Sequence, residues 1–281
     1  MTRYSQNCRG FTLVELLVVI TIIGVLASLA AGGAWYAMVV VRNGMTKAQL
    51  SQMDLALEAY KGEFNEYPPM LNDEKAVMRH VNSRWKRANL TYADILNAAK
   101  VSGSDDFVLT NTQMVAASLT FWLGGRYDSS KESFVGFSAD LENPLKLGGQ
   151  RTEPLFDFSK NVREVRDEDA DESTKFAVVL SFAIDNKPVV YFRSTATGDY
   201  DPAFCFCGWT DFDDAVPYMK SATVWHGAKK YQLIHPGRDG NFGKGFGTRI
   251  ANASETGLTY EDYDNIVNFT ETSTLQGALN Q

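Results

Sequence analysis

The chain has 281 residues, 44% of them hydrophobic, and a formal net charge of −7. That is enough for one substantial domain plus an anchor helix, and the acidic balance argues against non-specific binding to nucleic acid or anionic lipid. The three cysteines, Cys8, Cys205 and Cys207, make neither a disulfide framework nor a four-cysteine zinc site. Cys205 and Cys207 stand two apart, a spacing that would strain a disulfide, and read as free thiols.

Residues 1–10 carry Arg3 and Arg9 and no acid, so their loss would take the net charge from −7 to −9. After Gly10 and Phe11 an apolar run begins, and Glu15 is its one carboxylate; Leu16 to Val41 contains no charged residue. About 20 apolar residues cross a bilayer, and this run is long enough. It exceeds the apolar core of a secretory signal peptide, although Ala27-Ser28-Leu29-Ala30-Ala31 imitates a cleavage site. A lipoprotein reading fails because Cys8 precedes the apolar run. A charge inside a membrane segment is costly and functional by default, which singles out Glu15.

The basic leader, the Gly10–Phe11 junction and the lone Glu15 together resemble the class III signal of type IV prepilins and type II secretion pseudopilins. The resemblance implies cleavage after Gly10 by a prepilin peptidase, and methylation of the new amino terminus at Phe11. It also implies that Glu15 pairs with the terminal amine of a neighbouring subunit. Physical chemistry agrees, since a carboxylate in hydrocarbon must be neutralised by a proton or a cation. The implied partners are copies of the chain or other pilin-like subunits, the inner-membrane assembly platform and membrane lipid. Nucleic acid is not expected. The basic leader points to a cytoplasmic N-terminus, hence a single-pass inner-membrane protein with a periplasmic head, later part of a filament.

From Thr46 the pattern turns amphipathic. Leu50, Met53, Leu57, Tyr60 and Phe64 recur at spacings of three and four, one helical stripe, and Pro68-Pro69 stops the run. One helix of roughly 80 Å is therefore expected from about Phe11 to Phe64. The chain divides into a leader (1–10), an assembly segment (11–41), an amphipathic continuation (42–69) and a head (70–281). Gly24, Gly32, Gly33 and Gly44 within the helix fit either close helix packing or local melting.

Helices are expected at Glu74–Arg87 and Thr91–Lys100. A third, capped by Asn111 or Thr112, would be stopped by Gly124-Gly125. Strands are expected at Phe156–Phe158 and Phe176–Ile184, and Lys187–Arg193 should return after Asp185-Asn186 as a hairpin. Late strands are expected near Val224 and over Lys230–Ile234. Val162–Glu172 reads as a solvated charged loop. The aromatics at Phe121-Trp122, Phe134–Phe137 and Phe156–Phe158 read as core. The whole is α+β, a long helix packed on an antiparallel sheet.

The loop His235–Gly243 and the later Asp262–Phe269 resemble the C-terminal loops of pseudopilins, in which an acidic loop holds calcium. The resemblance makes Asp239, Asn241, Asp262 and Asp264 candidate ligands, with Arg238 and Lys244 opposing a cation. No other cofactor is indicated. Gly243-Lys244-Gly245 lacks the spacing of a phosphate-binding loop. Enzyme motifs are absent from the sequence, and His80, His226 and His235 are scattered. Asp211-Phe212-Asp213-Asp214 reads as a solvated acidic loop. Matches to the glycosylation triplet at Asn89, Asn252 and Asn268 are short enough to arise by chance. The sequence thus points to a filament subunit and not an enzyme. The alternative is a membrane-anchored periplasmic binding protein or enzyme with a pilin-like anchor. The C-terminal loop, and the lack of a cysteine pair around it, favour a secretion pseudopilus over a surface pilus.

Overall fold

The computed structural model describes residues 11–102, 108–166, 177–209, 211–243, 249–251 and 257–279. These form two compact units, up to Gly44 and from Met45 onward. The fold is α+β: a long N-terminal helix and antiparallel sheets, consistent with a pilin-like fold.

Helix α1 runs Leu13–Phe64. In the first unit it is long and apolar enough to cross a membrane, and its large side chains, from Leu13 to Val41, lie uncovered. In the second unit it buries Leu50, Met53, Leu57 and Tyr60 of the expected stripe, with Thr46 and Ala56 beside them, while Phe64 is half-buried against the core. The helix ends before the prolines. Asn65 adopts φ 62 and donates its N–H to the Lys61 carbonyl at 2.8 Å, a left-handed cap that asparagine tolerates.

Polar contacts fix this helix to the C-terminal part of the chain. The Lys47 ammonium donates to the Val267 and Thr270 carbonyls at 2.5 Å each. Asp54 accepts from the Tyr231 hydroxyl at 2.9 Å and the Asn268 amide at 3.1 Å.

Helix α2 (Glu74–Arg84) is capped by Asp73, which accepts from the Ala76 N–H. In α3 (Tyr92–Ala99), Thr91 and Asp94 form a reciprocal capping box. The cap of α4 (Asn111–Leu119) is Thr110, paired with Gln113, one position before the expected one; the T-x-x-Q spacing carries the box. Helix α4 runs on into a π-turn, Thr120–Gly124. Gly125 follows with φ 80, and a Cβ there would stand 2.2 Å from the Gly136 carbonyl carbon.

The strands are β1 (Lys100–Ser102), β2 (Tyr127–Asp128), β3 (Ser133–Phe134), β4 (Val162–Arg166), β5 (Val178–Ile184), β6 (Lys187–Pro188) and β7 (Val190–Arg193). Later come β8 (Cys207–Trp209), β9 (Asp213–Ala215), β10 (Met219–Ser221), β11 (Val224–Trp225), β12 (Tyr231–His235) and β13 (Ile266–Val267), then helix α5 (Leu275–Leu279). One sheet has the order β1-β5-β4, with β6 also on β5; another has the order β13-β12-β7; and all these pairs are antiparallel. The core element is β5, every residue of which is buried. Helix α4 is bonded to its chain: the Gln113 amide donates to the Ala177 carbonyl at 2.8 Å, and the Thr120 hydroxyl to the Leu180 carbonyl at 2.6 Å.

Three expectations change. Val162–Arg166 is an edge strand and not a loop; residues 167–172 of the expected loop lie outside the described residues, as does Phe176. Its charges at Arg163, Glu164 and Arg166 suit an edge, which needs protection against further pairing. Phe156–Phe158 is irregular chain that buries Phe158. The hairpin after β5 turns through Asp185 and Asn186, at φ 51 and 60, the geometry of a type I′ turn. Its second arm then divides. Lys187–Pro188 stays on β5, and Val190–Arg193 joins β12 in another sheet.

The aromatics Phe121, Trp122, Phe137 and Phe158 are core, while Phe134 and Phe156 are half-buried against it. Asp213 and Asp214 belong to β9, and Phe212 between them and Asp211 is buried. Cys205 and Cys207 are both buried and free.

Candidate processing and assembly site

The first turn of α1 is built by four residues. Thr12 is the capping residue and Glu15 stands three positions on. The Thr12 N–H donates to Glu15 Oε2 at 2.9 Å and the Thr12 hydroxyl to the same oxygen at 2.8 Å. In return the Glu15 N–H donates to Thr12 Oγ1 at 3.2 Å. This is a capping box, a role for Glu15 that the charge-in-membrane argument missed. The Thr12-Leu13-Val14-Glu15 spacing carried the signal. Glu15 also complements the positive end of the helix dipole. Phe11, just outside the helix, is 80% exposed. Gly10 lies outside the described residues.

Residues 5–31 match the family described as the prokaryotic N-terminal methylation motif. This is the class III prepilin signal, consistent with a type IV pilin-like or pseudopilin precursor. The motif implies processing by a prepilin peptidase and pilin-type self-assembly, and with the apolar helix it fits membrane anchoring. No curated protein and no solved structure matches the chain.

The four candidate calcium ligands do not share one site. The Asp262 carboxylate is fully buried. Its Oδ1 accepts from the Tyr218 hydroxyl at 2.6 Å, and its Oδ2 from the Thr259 N–H at 2.7 Å and hydroxyl at 3.0 Å. The buried Arg249 guanidinium lies 3.4 Å from Oδ1. Asp239, Asn241 and Asp264 lie together instead. Asp264 Oδ2 accepts from the Arg238 and Asp239 N–H groups at 2.6 and 2.9 Å, and Asp239 Oδ1 from the Asn241 N–H at 2.8 Å. Burial, and Asp264 beside it, push the Asp239 carboxyl above its ordinary range. Calcium takes 6–8 oxygen ligands. Among the described residues no cluster of three or more Asp, Glu, His or Cys side chains could hold a metal.

The head contains a cleft of about 510 Å³, lined among others by Lys61, Glu66, Arg193, Cys205 and Lys229. Behind it runs a directed chain of donors. Arg84 donates to the Tyr60 hydroxyl at 3.3 Å, and Tyr60 lies 2.6 Å from His80 Nε2. His80 Nδ1 lies 2.6 Å from Glu66 Oε1, and Arg193 donates to Glu66 Oε2 at 2.8 Å. A neutral imidazole with its proton on Nδ1 satisfies every group: Tyr60 donates to Nε2, and Nδ1–H donates to the carboxylate. Burial pushes the Glu66 carboxyl up, but the hydrogen bonds and charges of His80 and Arg193 outweigh it and hold the group at about 2. Burial lowers the His80 imidazole.

Tyr60 and His80 are enclosed and out of reach of a ligand in the cleft. Burial pushes the Cys205 thiol up to about 12, leaving almost no thiolate at neutral pH. His226 stacks on Phe269 at 4.2 Å. His235 is buried against the Ile184 carbonyl at 3.2 Å.

Proposed function

We propose that the chain is a structural subunit of a pilin-like filament, cleaved between Gly10 and Phe11, methylated at Phe11 and polymerised through α1. The match over residues 5–31 carries this reading. Before cleavage the Phe11 nitrogen is an amide, with no charge to offer. Cleavage creates a cation next to the apolar run, and Glu15 is the anion four residues on. In low-dielectric surroundings such a pair attracts far more strongly than in water. The Thr12 contacts occupy Oε2 and hold the carboxylate at the helix start, ready for an amine from a neighbouring copy. The leader stays cytoplasmic, the helix crosses the inner membrane, and the head is periplasmic.

The C-terminal loop and the absence of a cysteine pair around it favour a type II secretion pseudopilus over a surface pilus, and a secretin and secretion ATPase encoded alongside would support that choice. The head is read as a contact surface rather than a catalyst: Cys205 in its cleft is held as the thiol, and the Tyr60–His80 pair behind it is enclosed. Intact-mass measurement of the mature protein tests the reading. A mass starting at Phe11 with one added methyl group is expected; any other start refutes the processing step.

A further inference from the structure

The turn after β12 is built around a lysine. Lys187 on β6 directs its ammonium into the loop and donates to the Gly237 carbonyl at 2.7 Å and the Arg238 carbonyl at 2.6 Å. Asp264 meets the same turn through the Arg238 and Asp239 N–H groups. Gly237 has φ 53, and a Cβ there would stand 2.3 Å from the Asp264 carbonyl oxygen. The turn is therefore pressed against Asp264 with its carbonyls facing Lys187. Asp239 feels both the neighbouring Asp264 and the opposite charge of Lys187.

Two carboxylates and two converging carbonyls are oxygen donors of the kind a hard cation takes. We propose that Lys187 is the resident cation of this loop: its ammonium does the ordering that a bound metal would otherwise do, and the head is stable without calcium. A second cation of charge +2 beside that ammonium would meet like-charge repulsion. Asp262, which would have to join the ligand set, is held by Tyr218, Thr259 and Arg249. Lysine suits the task because its three N–H donors reach carbonyls on a flexible stem.

The test uses the full chain in detergent, melted with calcium chloride and with a chelator. The two melting temperatures should coincide. Lys187→Met, which keeps the stem and removes the charge, should melt lower by about 4–8 °C. A rise in melting temperature of the unaltered chain on adding calcium would overturn the proposal, as would a Lys187→Met variant that melts with the unaltered chain. If that variant does not fold, calorimetric titration of the unaltered chain with calcium decides: no binding heat is expected, and a saturable heat refutes the inference.

Discussion

Glu15 holds two jobs that can be separated. As the N3 residue of a capping box it supports the first helical turn; as a carboxylate at the edge of the apolar run it is available to an amine. Glu15→Gln keeps a hydrogen-bonding side chain for the box and removes the charge. We expect Glu15→Gln to insert into membranes as the unaltered chain does, but to lose filament incorporation at least tenfold in a cross-linking assay. Normal incorporation would leave Glu15 with the cap alone.

A second residue-scale prediction concerns His235. Burial pushes its imidazole down to about 4, and the hydrogen bond that Nε2 donates to the Ile184 carbonyl only partly offsets this, while the buried Nδ1 has no partner. The folded value lies below the unfolded one near 6.5, so the unfolded state takes up the proton first. The stability that His235 contributes is whole above about pH 6.5 and is lost as pH falls towards 4. His80, also lowered by burial, acts in the same direction, and Glu66, held at about 2, adds a loss of stability only as pH falls below its ordinary value near 4.5. The urea midpoint of the head should fall from pH 7 to pH 5, and His235→Gln should flatten that slope. Sequence alone offered three scattered histidines. Their burial depends on residues that pack from elsewhere in the chain, such as Ile184 and Trp122.

At the scale of elements, what could be read was what repeats locally. The stripe Leu50, Met53, Leu57 and Tyr60 is fully buried, as its spacing required. Leu57→Ala should cost about 2–5 kcal/mol by leaving a cavity. Leu55, on the same helix but 72% exposed, should tolerate alanine with little change in the urea midpoint. The strands were harder. In β4 two valines stand three apart among three charges, Arg163, Glu164 and Arg166, which shows no two-residue period and reads by composition as a loop. The change of sheet at Val189 is invisible in a continuous apolar run. Val189 itself still donates to the Phe182 carbonyl on β5 at 2.9 Å, and pairing passes to β12 from Val190. Several two- and three-residue strands, such as β10 and β13, are too short to produce a period. Asp262 parts from the other three candidate ligands for a related reason: it is two residues from Asp264, yet the short 3-10 turn Tyr260–Asp262 turns it inward to Arg249.

At the scale of the molecule, the chain divides at Gly44. The unit from Met45 onward has its own extensive core, so a fragment of residues 45–281 should fold in water without detergent and melt cooperatively. Circular dichroism would check this; a non-cooperative melt would mean that the first unit is needed for the fold. The sequence shows the uninterrupted apolar run give way after Val41 to a polar-and-apolar stripe, which is a change of solvent, and solvent is written into composition.

The clamp between Lys47 and the Val267 and Thr270 carbonyls has a consequence in time. More than two hundred residues separate its two halves. Lys47 is among the first residues of the head to leave the ribosome, and its partners are among the last. The same holds for Asp54 with Asn268. The head can therefore complete its fold only after residue 270 has been made. A chain cut short of these residues would keep a half-buried lysine and aspartate without these partners, and such a head would be marked for proteolysis.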